Sequence, residues 1–542
     1  MAKPEEVFIR RASGLTRVIG PWDALAYAFM NPGIMYCFLY LIWTHQLYPG
    51  VDMRWTAFPG VGLMFFPALL YIWFSIAMPR SGGEYIWGSR TISPAWGFCA
   101  CWALSMVGIS WAGTCTGWAI WWGLNTAFRS IAVSELGPLA ATHPLWKLAD
   151  FLDQPGPTIV LGTILIISFF LIMWRGARAA MILSWIGVIT ATIGHIAFDV
   201  GVFTGGGFSA FVERFNALSG TTYEAVIEAA KARGWPVGVY IPMVTLGAGI
   251  TYVALNTLGS TYTANIMGEI KEVRKSAIIA MLGALVLFMI YWAIFYNIAY
   301  LGFSGEFWAA AAYFAPGGAG AGTWEGWPFG SVMPMPNFML VYLNPNVAYA
   351  VISSICFFLC TYASCMGMAF GPVRNIFAWA FDRVIPTFFA KVDKRGSPWA
   401  AVLLGAIIAE GFFILQIFQP MWIAYSILAW FFAWAVVGVF GIVFYFVPRG
   451  RAIFEKSPDI VKKRIGKVPI ITIWGVLCFI VGVLLDYYML VPFFQGLISP
   501  LYIWITIGFF ILPPFIIYYI SRYYHMKKGI PMEMQFQEIP PD

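Results

Sequence analysis

The sequence predicts an all-α integral membrane protein of about twelve transmembrane helices. Three observations carry that reading. Of 542 residues, 60% are apolar and only 11% charged, against about 25% charged in an average soluble domain. A chain so poor in charge cannot cover itself with a wetted surface, and lipid is its natural solvent. The apolar residues also gather into twelve runs, each near or above the roughly twenty residues that a helix needs to cross a hydrocarbon core. Finally, Lys and Arg alternate between the intervening loops as a membrane topology requires.

In order, the runs fall at 22–44, 57–78, 96–127, 157–174, 181–204, 238–266, 277–302, 346–380, 399–417, 421–447, 469–491 and 499–520. The third and eighth are long enough to tilt or to project beyond the bilayer. With both termini in the cytoplasm, every inside segment is basic. These segments include Arg10, Arg11 and Arg17, then Arg80 and Arg90, Arg175 and Arg178, Lys271, Arg274 and Lys275, and on to Arg522, Lys527 and Lys528. The outside segments hold only Arg54, Arg129, Lys147, Arg214, Lys231 and Arg233. One span more or fewer would invert every later loop, so the pattern supports twelve. The expected location is the plasma membrane, multi-pass, with N- and C-termini cytoplasmic. The start, MAKPEEVFIRRASGLTR, is polar and basic and does not read as a cleavable signal. The first apolar run is expected to serve as a signal anchor.

Three outside loops are long: 128–156, 205–237 and 303–345. The last contains WAAAAYFAPGGAGAGTWEGWPFG. A spacer would carry more Ser and charge, so this loop is expected to cap the outer mouth. The chain reads as one membrane domain over 1–542.

Two spans are interrupted. The first carries Asn31-Pro32-Gly33 and the sixth carries Asn256-Thr257-Leu258-Gly259-Ser260-Thr261, both near mid-depth. Backbone freed from a helix in the membrane survives only beside a cavity or packed protein. A proline kink and a polar packing patch would explain each alone. Together they occupy matching members of two five-helix halves, the arrangement that marks the central site of an inverted-repeat transporter. There, half-helix N-termini suit an anionic group and loosened carbonyls a cation. A zwitterionic amino acid has both.

Four stretches resemble a family. MPRSGGEYIWGSR, residues 78–90, is similar to the P-x-S-G-G-x-Y signature of permeases in the amino acid–polyamine–organocation (APC) superfamily. GEIKEVRKSAIIA, residues 268–280, resembles E-E-x-K-N-P-x-R, with Glu269 and Lys271 matching and Glu272 and Val273 in place of Asn-Pro. RNIFAWAFDRVIPTFFAKVDKRGSPWAAVLL, residues 374–404, looks like R-x-x-F-A-x-x-x-D-x-x-x-P-x-x-F and its continuation. SGLTRVIGPWDA, residues 13–24, resembles the segment leading into the first span. The resemblance implies a leucine-transporter-like 5+5 inverted-repeat core, 21–204 and 238–447, plus two accessory helices at 469–520. It implies an amino-acid permease with its substrate between the first and sixth spans, flanked by the third, eighth and tenth. The chain departs from the pattern at both breaks, and its fifth span lacks the lysine that fills a cation site in some proton-coupled members. Substrate and coupling ion therefore stay open.

The candidate substrate-binding residues are Asn31, Pro32, Gly33, Gly259, Ser260, Thr261 and Trp111, with packing as the plainer role for the break residues and interfacial anchoring for Trp111. His195 and Asp199, one turn apart in the fifth span, are candidates for proton coupling, because histidine titrates near neutral pH. Their plainer reading is a histidine satisfied by Asp199 or a carbonyl. Ser353, Ser354, Thr361 and Ser364 form a possible sodium site with carbonyls of the first break, or glue between helices. Asp23, Glu84 and Glu269 are expected near the cytoplasmic face, paired with Arg17, Arg80 and Arg274 or simply solvated. The eight cysteines lie in or beside apolar runs with no CxxC pair, and read as small buried hydrophobes. No metal, cofactor or catalytic constellation is expected, and the basic residues form no nucleic-acid stripe. The expected partners are an amino acid or amine, H+ or Na+, and the bilayer. A haem or quinone redox subunit would need histidine pairs inside spans, and only His195 lies clearly within one. A non-transporting sensor or structural partner of the same fold, or a permease for nucleobases, remain the alternatives.

Overall fold

In lipid an uncharged run can satisfy its peptide groups only within itself, so it folds as a helix. The computed structural model describes residues 17–419, 425–494, 499–529, 532 and 536. Ten of its helices are long and apolar enough to cross a membrane, or eleven when Ile427–Val443 and the Pro448–Lys456 helix, bent from it by 77°, count as one span. The sixth expected span falls outside that count because it is broken. Part of the tenth expected run, 421–424, lies outside the described residues. Among the described residues the strands amount to one hairpin, Arg464–Ile465 against Val468–Pro469.

The third span continues far beyond the bilayer. It runs as Pro94–Trp118, a π-turn at Ala119–Leu124, and Asn125–Leu136. The π-turn falls where Trp121 and Trp122 enter the outer vestibule, and such bulges often reset side-chain direction at functional sites.

Spans pack closely where side chains are small, the usual device in a bilayer. A Cβ on Gly187 would strike Ala363 of the eighth span at 2.6 Å, and one on Gly194 would strike Cys356 and Met35 at 2.7 Å. The first, fifth and eighth spans thus meet almost backbone to backbone. The opposite face of the fifth span exposes Ile182, Ile186, Ile189, Ile193 and Ile196, a helical stripe for lipid contact.

The outer loops are built, not slack. The 303–345 loop forms the helix Gly305–Phe314 and buries Phe307, Trp308, Phe314 and Phe329. Gln46 of the first span donates through Nε2 to the carbonyls of Ala312 (3.2 Å) and Pro316 (3.1 Å). The cap expected from composition sits over the first span's outer end.

Candidate functional site

The two interruptions meet. The first span is helical over Pro21–Met30, opens at Asn31, Pro32 and Gly33, and resumes as Ile34–Tyr36 and Cys37–Leu47. Gly33 sits at φ 86°, a conformation that glycine adopts without strain. The sixth span is helical from Pro242, passes through a π-turn at Gly249–Val253, and after Asn256 and Thr257 resumes as a 3-10 helix, Leu258–Glu269. Asn31 Nδ2 donates to the Gly259 carbonyl at 3.0 Å. A Cβ on Gly259 would lie 2.5 Å from Asn31 Oδ1 and 3.3 Å from Pro32 N. Gly259 is therefore glycine because the first break presses against it. The eighth span completes the tie: Ser364 Oγ donates to the Asn31 carbonyl at 2.7 Å, and Tyr27 Oη donates to the Gly367 carbonyl at 3.1 Å.

Between the breaks lies a cavity of about 40 Å³. Of the candidate substrate residues, Asn31, Pro32, Gly259 and Trp111 line it. So do Tyr36, Tyr40, Asn256, Tyr262, Met368 and Trp430, and none of its lining residues is charged. Gly33, Ser260 and Thr261 adjoin it without lining it. The Thr261 hydroxyl donates to the Leu258 carbonyl of its own helix at 3.1 Å. Five polar atoms of the lining are buried with no partner: Asn31 Oδ1, Tyr36 Oη, Asn256 Nδ2, Trp111 Nε1 and Trp430 Nε1. An unsatisfied buried polar atom costs about 1–3 kcal/mol, and five of them surround this one cavity.

Outside the cavity opens a vestibule of about 310 Å³. Tyr40, Trp111 and Leu255 belong to both and form the floor of one and the roof of the other. Trp43, Trp118 and Trp122 wall the vestibule with rings 5.3–5.7 Å apart, mostly edge to face, and the cap contributes Pro316, Gly317 and Met333.

The side opposite the vestibule is shut. Arg374 holds Glu269 with two N–H···O bonds of 3.0 and 3.1 Å. Arg90 pairs with Asp382, which also accepts from Tyr85 Oη at 2.9 Å. Glu84 accepts from Asn265 Nδ2 at 2.7 Å. Arg17 donates to the Ile270 carbonyl at 3.4 Å, and Asp23 accepts from Trp185 Nε1 at 2.9 Å. The partners of Asp23, Glu84 and Glu269 differ from the Arg17, Arg80 and Arg274 that were expected. The comparison with known families joins this geometry to a name. The family model described as amino acid permease matches residues 26–512.

The chain belongs to the amino acid permease family.

It is thus a multi-pass membrane transporter of amino acids or related solutes. A search of curated proteins returned no match. In this permease the remaining candidates are dispersed. His195 is buried in the fifth span against Phe38, Tyr291 and Phe295 at 5.3–5.8 Å, with Nε2 3.8 Å from Cys37 Sγ. It adjoins the first break but does not line the cavity. No hydrogen bond joins it to Asp199, whose Oδ1 is buried without a partner. Of the four eighth-span hydroxyls, Ser364 reaches the first break. Thr361, one turn away, has an unpartnered Oγ1. Ser354 accepts from Asn337 Nδ2 at 3.0 Å and, with Ser353, stands about 15 Å further along the helix. A second histidine also lies inside a span: His45 is buried in the first, with Nε2 3.0 Å from Tyr300 Oη. The eight cysteines are all free and buried.

Proposed function

We propose that this permease carries amino acids or related amines across the plasma membrane by alternating access, holding the substrate between the two breaks. One observation supports it above the rest. The uncharged cavity joining both breaks is edged by unpaired groups of both kinds: donors at Asn256, Trp111 and Trp430 for a carboxylate, and an acceptor at Asn31 for an ammonium. The half-helices starting at Ile34 and Leu258 bring positive dipole ends to the same place. The wide vestibule outside and the paired charges inside correspond to an outward-facing arrangement. Closure would collapse the aromatic vestibule, and opening would part Glu269 from Arg374 and Glu84 from Asn265. With both termini cytoplasmic, that inner side faces the cytoplasm.

A gradient or a counter-substrate drives net flux. A proton would use His195 and Asp199. Sodium would use the Asn31 carbonyl with Ser364 and Thr361, and Ser353 and Ser354 lie too far along the helix to share that ion.

The test is uptake of a radiolabelled amino-acid panel into proteoliposomes under imposed proton and sodium gradients. Saturable uptake of one amino-acid class, enhanced by one of the gradients, supports the reading and names the ion. Empty vesicles across the panel, with folded protein, would sink it.

A further inference from the structure

Three carboxylates lie buried at the cytoplasmic side, and they are not treated alike. Glu269 has Arg374, and Asp382 has Arg90. Glu84 is 1% exposed, and among the described residues no cation pairs with it. Its partner is an amide: Oε2 accepts from Asn265 Nδ2. The amide's other atom, Asn265 Oδ1, is buried with no donor at all. A protonated carboxyl has the one group that Asn265 lacks. It accepts from Nδ2 through one oxygen and donates to Oδ1 through the other, the reciprocal pairing of an acid with an amide. An ionised carboxylate can only accept, which leaves Oδ1 orphaned and buries a charge without a counter-ion, a costly arrangement.

The pair also sits at a joint. Glu84 belongs to the short helix Gly83–Thr91, which follows the second span. Asn265 belongs to the second half of the broken sixth span. Gly82 N–H donates to the Asn265 carbonyl at 3.1 Å, so backbone and side chain bind the same two elements. Burial pushes the Glu84 carboxyl up to about 7, against smaller downward pulls from its own backbone, the Asn265 amide, and the nearby Tyr71 hydroxyl and Cys101 thiol. Tyr71 faces it from the second span, Cys101 from the third and Tyr262 from the sixth. The charges of the eighth span, Arg374 and Asp382, are engaged elsewhere. The tenth-span helix Ile427–Val443 has no charged residue. The helix that follows it, Pro448–Lys456, carries Arg449, Arg451, Glu455 and Lys456, none paired with Glu84.

We propose that Glu84 is a proton-binding site that latches the cytoplasmic gate: protonated, it clasps Asn265 and holds the gate shut; ionised, it favours an open, hydrated gate. This rests on the alternating-access reading for the meaning of "open", but the proton site is testable without a substrate. The closed form holds the proton more tightly than a hydrated form does. Its added stability is therefore full below the ordinary carboxyl range and is lost as pH rises through about 7.

The experiment uses the purified full chain with no ligand. Its melting temperature is followed from pH 5 to 8.5, together with amide exchange of the 258–270 segment, corrected for the intrinsic effect of pH. In the wild type, melting temperature falls with a midpoint near 7, and exchange rises at least threefold across it. Glu84→Gln carries the second N–H permanently, so it keeps the low-pH behaviour at every pH. Tyr71→Phe removes a hydroxyl that favours the charged form, so its midpoint moves upward; it serves if the Gln variant does not fold. No step in the wild type, an equal step in Glu84→Gln, or an unmoved midpoint in Tyr71→Phe overturns the proposal. A wild-type step in protein that transports no amino acid leaves the proton site standing and removes the transport reading alone.

Discussion

Asn31 makes the two breaks one structure. Its Nδ2 donates to Gly259, its carbonyl accepts from Ser364, and its Oδ1 waits unpaired at the cavity. Gly259→Ala would place a methyl 2.5 Å from that Oδ1 and dislodge the amide. We expect a stability loss of about 1–3 kcal/mol, the cost of a buried group left unmade, with uptake reduced at least tenfold; thermal unfolding and vesicle uptake read the two effects. Trp111→Phe should do the opposite. Its Nε1 has no hydrogen-bond partner within the protein, so stability should hold while substrate affinity falls roughly tenfold, about the worth of one hydrogen bond, as equilibrium binding would show. Asn31, Pro32 and Gly259 were legible in the sequence because proline and glycine announce a backbone leaving its helix. Ser260 and Thr261 promised hydrogen bonds to the cavity, but neither lines it, and the Thr261 hydroxyl bonds its own preceding turn. Tyr36, Tyr262 and Met368 were not legible as lining, because a helix that is apolar all round gives no sign of which face meets a cavity.

At the scale of elements, the inner gate depends on ion pairs between spans far apart in sequence. Arg374→Ala would strand Glu269 in the interior, where breaking a buried pair costs about 3–5 kcal/mol. The double variant Arg374→Met with Glu269→Met should lose much less than the sum of the single losses, and a double-mutant cycle by thermal unfolding checks this. Sequence did not give Glu269 its partner, because pairing needs the packing of the eighth span on the sixth. The outer cap was legible from its Gly, Ala and aromatic composition, but not its anchor, Gln46. Gln46→Ala removes both bonds to the Ala312 and Pro316 carbonyls. Amide exchange in the 312–320 segment should rise severalfold with little change in the spans.

At the scale of the molecule, the apolar runs and the scarcity of charge sufficed for the all-α membrane fold. The sixth span reads as an apolar run at 238–266, but its break at Asn256 and Thr257 leaves no single helix of spanning length. The lipid-facing stripe of the fifth span gives a whole-molecule test of orientation in the bilayer. Ile189→Arg puts a charge near mid-depth at a cost of about 2.5–3.5 kcal/mol, so membrane-inserted yield should fall sharply, whereas arginine at the outer loop position Thr221 should be tolerated. The central claim is that the breaks of the first and sixth spans form the substrate site. The measurement that meets it most directly is equilibrium binding of a radiolabelled amino-acid panel to purified wild type and to Gly259→Leu, with folding of both verified by size-exclusion profile. The account predicts saturable binding of at least one amino acid to the wild type and its loss in the folded variant. Equal binding in both, or none to the wild type across the panel, would contradict it.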